Sequence, residues 1–323
     1  MCGLIYAKRH DHKPVAGIIA KRYKRQAHRG SQGFGYLTLQ GRTKAKRALH
    51  EHEVLEKLEK EKGSEILFHH RYPTSTENVR DATHPILVAN PALTYTYYLA
   101  HNGIIVNDDV LKKAHEAEGF TYRTVIEHII RSRTDESRYT QFNDSEALAL
   151  DFALTIEGKQ EALHAEGSIA FIAVQLERKT KKPRMLYYGR NAGSPLTIER
   201  HKNVTVILSE GGSTLEPDTL YWYHYETQEH GSKPFTIGKY TVSNFEFQWN
   251  NDYRYYDDEE LGALTAEDIA SELMELYAEK DELAVEYKIA KQAGEVDEEI
   301  ALYWELDTLE DAIQQLEARI NLT

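Results

Sequence analysis

Cysteine is almost missing from this chain of 323 residues: Cys2, directly after the first methionine, is the single one. One cysteine excludes an internal disulfide framework, which is typical of proteins from a reducing compartment. No stretch approaches the roughly 18 consecutive apolar residues of a membrane-spanning helix, and the first residues contain no apolar signal-peptide core. We therefore expect a soluble, cytoplasmic protein that does not contact membranes.

Positive charge is scarce at the C-terminal end of the chain. Residues 257–323 contain 21 acidic and 4 basic residues, a net charge of −17. Residues 1–256 contain the remaining 31 acidic and 35 basic residues, a net charge of +4. The nearly neutral larger part gives no direct signal of nucleic-acid binding. Because no glycine- and serine-rich linker separates the two parts, the change in charge places the predicted domain boundary between residues 256 and 257.

The first 256 residues show mixed helical and strand patterns, which predict an α+β fold. Helices are predicted over residues 15–28 and 45–62, and from an acidic start at Asp144. Short apolar or alternating stretches predict the strands. In chain order these are GLIYA, GFGYLTLQ, EILFHHRY, TYYLAHNG, SIAFIAVQL, RMLYYG, VTVILSE, TLYWYHYE and the extended PFTIGKYTVSNFEFQW.

Residues 257–323 show two regular apolar seams. Side chains such as Leu273 and Leu276 repeat at spacings of four and three, and Leu309 and Ile313 belong to a second repeat after the segment QAGEVD. This pattern predicts two helices folded as an antiparallel hairpin. Two interpretations of the acidic faces remain open, namely simple solvation and a docking surface. We favour a role in partner binding or self-association, which includes a homo-oligomer formed through the hairpin.

The position of Cys2 suggests nucleophilic chemistry. Removal of Met1 would leave a thiol and a free α-amine on one residue. The pKa of an α-amine is about 7.7–8.0, so a useful fraction is neutral at pH 7 and acts as a general base. The alternative is that a cysteine follows Met1 by chance. A nucleophile also needs an oxyanion hole and groups that orient its substrate, and these can be sought in the sequence.

Five blocks of sequence supply candidates for these groups: MCG, AHRGSQGFGY, HHRYPTST with DATHP, AHNGIIVN and NDSEAL. In this order they resemble the class II glutamine amidotransferase domain of the N-terminal nucleophile (Ntn) hydrolase type. The segments YYGRNAGSPLTI and VILSE resemble strands that complete that domain. The resemblance covers residues 2 to about 230. It implies a four-layer αββα sandwich, here followed by the helical hairpin, and it implies no cofactor.

The resemblance also implies roles for individual residues. Cys2 would attack the side-chain amide of L-glutamine and form a thioester, while Asn102 and the backbone N–H of Gly103 would form the oxyanion hole. Arg71 would bind the substrate α-carboxylate, and Asp144 its α-ammonium group. Further pocket positions, which contact the substrate or organise the loop above it, are Thr74, His84 and Arg29.

Each role has a plainer structural alternative. Arg71 and Asp144 could form an ion pair that only stabilises the fold, and Asp144 could be a helix N-cap. Asn102 and Gly103 could form an ordinary turn. The histidine clusters HDH, HEH and HH lack the spacing of a zinc site, so we predict no bound metal. The SQ pair after HRG departs from the pattern of the family, which leaves open what Ser31 and Gln32 contact.

The sequence therefore predicts a glutamine amidotransferase subunit that hydrolyses L-glutamine to glutamate and ammonia. Most relatives in the family carry a further synthase domain, and residues 257–323 are too few to build one. We expect an acceptor synthase on a separate chain. Two alternatives remain: a catalytically silent interaction or regulatory protein on the same fold, and an Ntn hydrolase of another amide such as a γ-glutamyl bond.

Overall fold

The chain divides into two compact units, Met1–Asn244 and Phe245–Thr323. The computed structural model describes residues 2–72, 79–131 and 136–240 of the first unit. In the second unit it describes a set of helical positions, namely 273, 274, 276, 277, 280, 283 and 313. None of the helices in these described parts is long and apolar enough to cross a membrane.

Strands dominate the described part of the first unit. In chain order they are β1 Gly3–Arg9, β2 Phe34–Thr38, β3 Lys44–Ala48, β4 Glu65–His70, β5 Ile86–Val88, β6 Thr96–Ile105, β7 Ile126–Arg131, β8 Glu136–Gln141, β9 Gly167–Leu176, β10 Pro183–Arg190, β11 Thr197–His201, β12 Val204–Leu208, β13 Ser213–Thr214, β14 Thr219–His224 and β15 His230–Pro234. The helices are α1 Ala16–Arg25, α2 Glu51–Glu59, α3 Asp108–Ala117 and α4 Asp144–Ile156.

Two antiparallel sheets carry this unit. The first has the order β13-β11-β12-β1-β4-β2-β3, and the second has the order β15-β14-β10-β9-β6-β5. β7 and β8 pair separately as an antiparallel two-stranded sheet. β1 therefore lies inside the first sheet between β12 and β4, while β6 lies inside the second sheet between β9 and β5.

Three hydrophobic clusters account for the packing. One joins residues of α1 and α2, such as Ile19 and Val54, to Phe68 and other residues of the first sheet. A second contains residues of both sheets, among them Leu67 and Ile172. The third joins the second sheet to α3 and α4. Because both faces of each sheet are covered, β4 is buried along its whole length and β9 at all but one residue.

The described elements agree with the other predicted strands and with the helix that begins at Asp144, but not with the predicted extended segment PFTIGKYTVSNFEFQW. The strand β15 ends at Pro234, where that segment begins, residues 235–240 form only an isolated bridge at Lys239, and the remainder lies outside the described residues. The predicted helix over residues 45–62 is wrong in its first third, where Lys44–Ala48 forms β3 and pairs with β2. The lysines and arginines of this segment favour a helix by propensity. As an edge strand, however, this segment places the charges of Lys44 and Lys46 at the surface, which blocks further pairing, while Arg47 is partly buried.

The second unit has helical backbone at its described positions, and several of them belong to the predicted seams. Leu273, Leu276 and Ile313 are buried, whereas Met274 is exposed. The connection of the two predicted helices and the predicted boundary at residues 256 and 257 lie outside the described residues.

Candidate active site

The start of β1 and the end of β4 bring Cys2 next to Arg71. The two strands are antiparallel neighbours, with Gly3 paired to His70. The residue before β1 and the residue after β4 must therefore lie side by side. A side chain at Gly3 would overlap the ring of His70, since a Cβ there would lie 1.9 Å from Nε2. This close approach keeps the two strands in register at the site.

A small cleft opens at this end of the two sheets. The C-terminal half of β6 and the N-terminus of α4 meet Cys2 there. The residues that line the cleft come from five separate parts of the chain. They are Cys2, Arg71, Tyr72, His84, His101, Gly103, Asn143, Asp144 and Ser145.

The thiol of Cys2 is held by the backbone of Tyr72. The Tyr72 N–H donates to Sγ at 3.4 Å, and Sγ lies 3.5 Å from the Tyr72 carbonyl oxygen. Burial raises the pKa of the Cys2 thiol, against the opposing effects of the Tyr72 N–H and of the Arg71 charge. The thiol is therefore protonated at neutral pH and needs a base before it can attack.

The carbonyl of Cys2 is held by two side chains. Arg29 Nε donates to this oxygen at 3.1 Å. The partners of the Asn102 amide fix its orientation: its nitrogen donates to the Cys2 oxygen at 3.0 Å, and its oxygen accepts from Arg29 Nη2 at 3.1 Å. In the opposite orientation the Asn102 oxygen would face the carbonyl oxygen of Cys2, and neither atom can donate a hydrogen bond. Arg29 and Asn102 thus fix the main chain at Cys2, and neither side chain lines the cleft.

Arg71 and Asp144 are both buried beside the thiol. Burial lowers the pKa of the Arg71 guanidinium, while the charges of Cys2 and Asp144 act in the opposite direction. Asp144 accepts from the backbone N–H of Ile105 at 2.9 Å and from that of Ser145 at 2.8 Å. The N-cap of α4 is Asn143, whose side chain accepts from Ser145 N–H, so Asp144 is the first residue of the helix.

Three buried imidazoles lie at the cleft: His84 and His101 line it, and His69 packs against His84. The rings of His69 and His84 are 4.1 Å apart, and His101 Nδ1 lies 2.9 Å from the hydroxyl of Ser145. Burial lowers the pKa of each ring, so all three are neutral at pH 7. Neither ring nitrogen of His84 has a hydrogen-bond partner among the described residues. An unpaired buried polar group at a cleft is a ready contact for a ligand or a water molecule.

Gly103 allows the backbone of β6 to approach β9 closely. Its φ is +143°, and a Cβ at this position would lie 1.9 Å from the carbonyl oxygen of Ser168. No other residue fits here without moving a strand. The backbone of Gly103 consequently faces the cleft without a side chain in front of it.

The structure brings most of the predicted site residues together. Five of them line the cleft, namely Cys2, Arg71, His84, Gly103 and Asp144. Arg29 and Asn102 contact the main chain of Cys2 instead, and Thr74 lies outside the described residues. The individual chemical roles stay predictions.

Sequence analysis missed several polar residues at the site. Tyr72, His101 and Ser145 lie within the motif blocks, but nothing in the sequence distinguished them from their neighbours. Ser209, which contacts Asn102 and Leu4, follows β12 in VILSE. Over the described ranges, no three His, Cys, Asp or Glu side chains group in a way that could hold a metal ion.

Comparison with solved structures shows which fold this is. The glutamine phosphoribosylpyrophosphate amidotransferase of B. subtilis, complexed with ADP and GMP, matches with a TM-score of 0.50 and 21% identity over 74% of this chain and 50% of that one. A structure described as the allosteric regulatory enzyme of purine biosynthesis matches with a TM-score of 0.51 and 20% identity over the same shares. A glutamine aminotransferase class-II domain protein from Silicibacter pomeroyi matches with a TM-score of 0.42 and 13% identity, over 73% of this chain and all of that one.

Neither models of protein families nor curated protein sequences give a match to this chain. The likeness to the first two of these structures is therefore one of fold, and this chain spans half the length of each. The fold that this chain shares with them is mixed α+β, with antiparallel sheets and few helices.

Proposed function

We propose that this protein is a glutamine amidotransferase of the N-terminal nucleophile type, which hydrolyses L-glutamine to glutamate and ammonia. One observation carries the proposal. A cysteine, a buried arginine and a buried aspartate, distant in sequence, line one cleft together with the backbone of a half-buried glycine. The sequence motifs and the shared fold support the same activity.

Cys2 is the nucleophile in this proposal. Loss of Met1 exposes the α-amine, which takes the thiol proton as Sγ attacks the side-chain carbonyl of glutamine. The tetrahedral intermediate collapses to a thioester when the carbon–nitrogen bond breaks, and the amine returns the proton to the leaving ammonia. Water then attacks the thioester, which releases glutamate and restores the thiol. The raised pKa of the buried thiol makes such a base necessary.

The oxyanion is stabilised by Asn102 and Gly103. One hydrogen of the Asn102 amide binds the Cys2 carbonyl. Although Asn102 does not line the cleft, this proposal assigns its second amide hydrogen to the oxygen that develops beside Sγ. The backbone N–H of Gly103 is the other donor. Preorganised donors of this kind act on the transition state rather than on the bound substrate.

The amino-acid head of the substrate is bound by the two buried charges. The planar guanidinium of Arg71 suits the α-carboxylate, and Asp144 suits the α-ammonium group. His84, whose ring nitrogens have no partner among the described residues, is available for a further polar contact, and Thr74 is the other predicted pocket residue. The same α-carboxylate and α-ammonium groups occur in γ-glutamyl amides, so these compounds should be assayed as substrates beside glutamine.

The proposal includes the predicted architecture and partner. The three hydrophobic clusters support a four-layer αββα order of the first unit. Ammonia released into water at pH 7 is mostly protonated and no longer nucleophilic. We therefore assign the acceptor chemistry to a synthase on a separate chain that receives the ammonia within a complex, and the acidic C-terminal segment to partner binding or self-association.

Glutamate release from L-glutamine by the purified protein tests the activity. Cys2→Ala should abolish it, and Cys2→Ser should nearly do so, because an alcohol is a much weaker nucleophile at pH 7. Faster turnover of a γ-glutamyl amide than of glutamine would identify the other hydrolase. If protein that has lost Met1 turned over neither substrate, the remaining interpretation would be a catalytically silent interaction or regulatory protein.

The assignment of Asp144 is tested with a capped substrate. N-acetyl-L-glutamine lacks the α-ammonium charge, so it should be a far poorer substrate than glutamine for the parent enzyme. The difference should shrink markedly in Asp144→Asn. Equal discrimination by both proteins would mean that Asp144 only organises the N-terminus of α4.

A further inference from the structure

A buried hydroxyl joins the strand that begins after the nucleophile to the strand of the oxyanion residues. Ser209 follows the end of β12 and is 2% exposed. Its Oγ accepts from the backbone N–H of Leu4 at 2.9 Å, and its own N–H donates to the Leu4 carbonyl at 3.0 Å. Ser209 is thereby fixed two residues from Cys2.

The same hydroxyl contacts the side-chain amide of Asn102. Ser209 Oγ lies 3.3 Å from the amide atom that also faces Arg29 Nη2. With the amide in the orientation that its partners require, this atom is the oxygen. Because Leu4 N–H already occupies a lone pair of the Ser209 hydroxyl, the hydroxyl proton is free to point at the Asn102 oxygen.

Two donors on the amide oxygen fix where the amide nitrogen points. An asparagine amide is nearly symmetric in shape, so its neighbours alone decide which end faces which way. Arg29 and Ser209 hold the oxygen on one side, which turns the NH₂ group towards Cys2. Rotation by a half turn would present an acceptor where the proposed oxyanion forms, and two negative atoms would then repel each other.

We propose that Ser209 is a positioning residue that sets the orientation of the Asn102 amide for the reaction at Cys2. This inference rests on the proposed function for its kinetic consequence, but its structural claim stands independently. Ser209 lies outside the cleft lining and does not touch the substrate site. Its effect on catalysis passes through Asn102.

A double-mutant cycle measures this effect. Ser209→Ala should lower kcat about tenfold and change KM less than about twofold, since Ser209 acts on the reaction through the hydrogen-bond network that it shares with Asn102. In an Asn102→Ala background the same substitution should leave kcat unchanged. Ser209→Thr keeps the hydroxyl, so with Asn102 intact this variant should retain most of the kcat of the parent enzyme. Equal losses of kcat with and without Asn102 would overturn the proposal.

Thr197→Val is the matched control. Thr197 lies on the neighbouring strand β11, is equally buried, and donates its hydroxyl to the Leu208 carbonyl at 3.0 Å. The substitution removes one buried hydroxyl hydrogen bond close to Ser209 without touching Asn102. It should leave kcat unchanged, whereas an equal loss of kcat would assign the Ser209 effect to general destabilisation.

A second measurement needs no activity. In the full chain, exchange of the Asn102 side-chain amide protons with water is followed by NMR, with assignment from Asn102→Asp. Ser209→Ala should accelerate this exchange about tenfold or more, and Thr197→Val should not. Unchanged exchange in Ser209→Ala overturns the positioning role whatever the enzyme does. Faster exchange in a protein that hydrolyses no glutamine supports the positioning role and refutes the proposed function.

Discussion

Arg71→Lys is the substitution that examines substrate recognition most closely. Arg71 directly follows β4, is 2% exposed, and lines the cleft beside Cys2 and Asp144. Lysine keeps the positive charge but replaces a planar fork of several donors with one ammonium group on a shorter reach. The variant therefore separates the two-bond recognition of a carboxylate from simple attraction between charges.

The expected loss follows from one charge-assisted hydrogen bond. Such a bond contributes about 1.5–3 kcal/mol, and about 1.4 kcal/mol corresponds to a factor of ten, so KM for glutamine should rise about 10- to 150-fold. kcat should change by less than about fivefold, because the α-carboxylate is bound equally in the ground state and the transition state. Steady-state glutamate release over a range of glutamine concentrations gives both constants.

Arg47→Lys is the control for loss of a buried arginine as such. Burial also lowers the pKa of Arg47, whose Nη2 donates to the Pro85 carbonyl at 2.6 Å, but Arg47 does not line the cleft. The Arg47→Lys variant should have a melting temperature similar to that of Arg71→Lys, and its KM for glutamine should stay near the parent value. A KM increase of the same size in both variants, or a loss confined to kcat in Arg71→Lys, would refute the assignment of Arg71 to the carboxylate.

Three further predictions concern the oxyanion donors and the buried histidines. Asn102→Ala should lower kcat by about 10²–10³ with a smaller change in KM, and an effect on KM alone would exclude the oxyanion role. Gly103→Ala should abolish turnover and lower the melting temperature, because its Cβ would lie 1.9 Å from a backbone oxygen. Gly17→Ala, with open space around it in α1, should raise the melting temperature instead, and equal behaviour of the two variants would contradict the packing described here. Burial lowers the pKa of His70 and His115 to about 4 in the folded protein. The unfolded chain therefore binds more protons than the folded protein below pH 6.5. As the pH falls from 7 to 5, the free energy of unfolding measured by urea titration should decrease by about 2 kcal/mol or more. A free energy of unfolding that does not change over this range would refute neutral buried imidazoles.

Much of the fold was predictable because its core strands and α4 are strongly patterned. α4 combines an asparagine cap, acidic first residues and an apolar run, and it forms over Asp144–Ile156. β3 was not predictable, because Lys44–Ala48 has charged residues of good helix propensity and acquires its strand structure by pairing with β2. Pairing between distant segments is a tertiary effect that local propensity does not contain.

The sequence predicted individual residues of the site, but it did not predict the contacts between them. Motif blocks singled out Cys2, Arg71 and Asp144, and the structure places all three at one cleft. The backbone contacts of Tyr72 with the thiol and the hydroxyl of Ser209 beside Asn102 depend on how two sheets meet, which no local pattern records.

The central claim is that Cys2, as the first residue of the processed chain, forms a thioester with glutamine. Acid-quenched mass spectrometry of the full-length protein during turnover of L-glutamine tests it most directly. We predict loss of Met1, one glutamyl group on the N-terminal peptide, and glutamate release, with neither adduct nor release in Cys2→Ala. Glutamate release at the parent rate by Cys2→Ala, or by protein that retains Met1, would contradict the account.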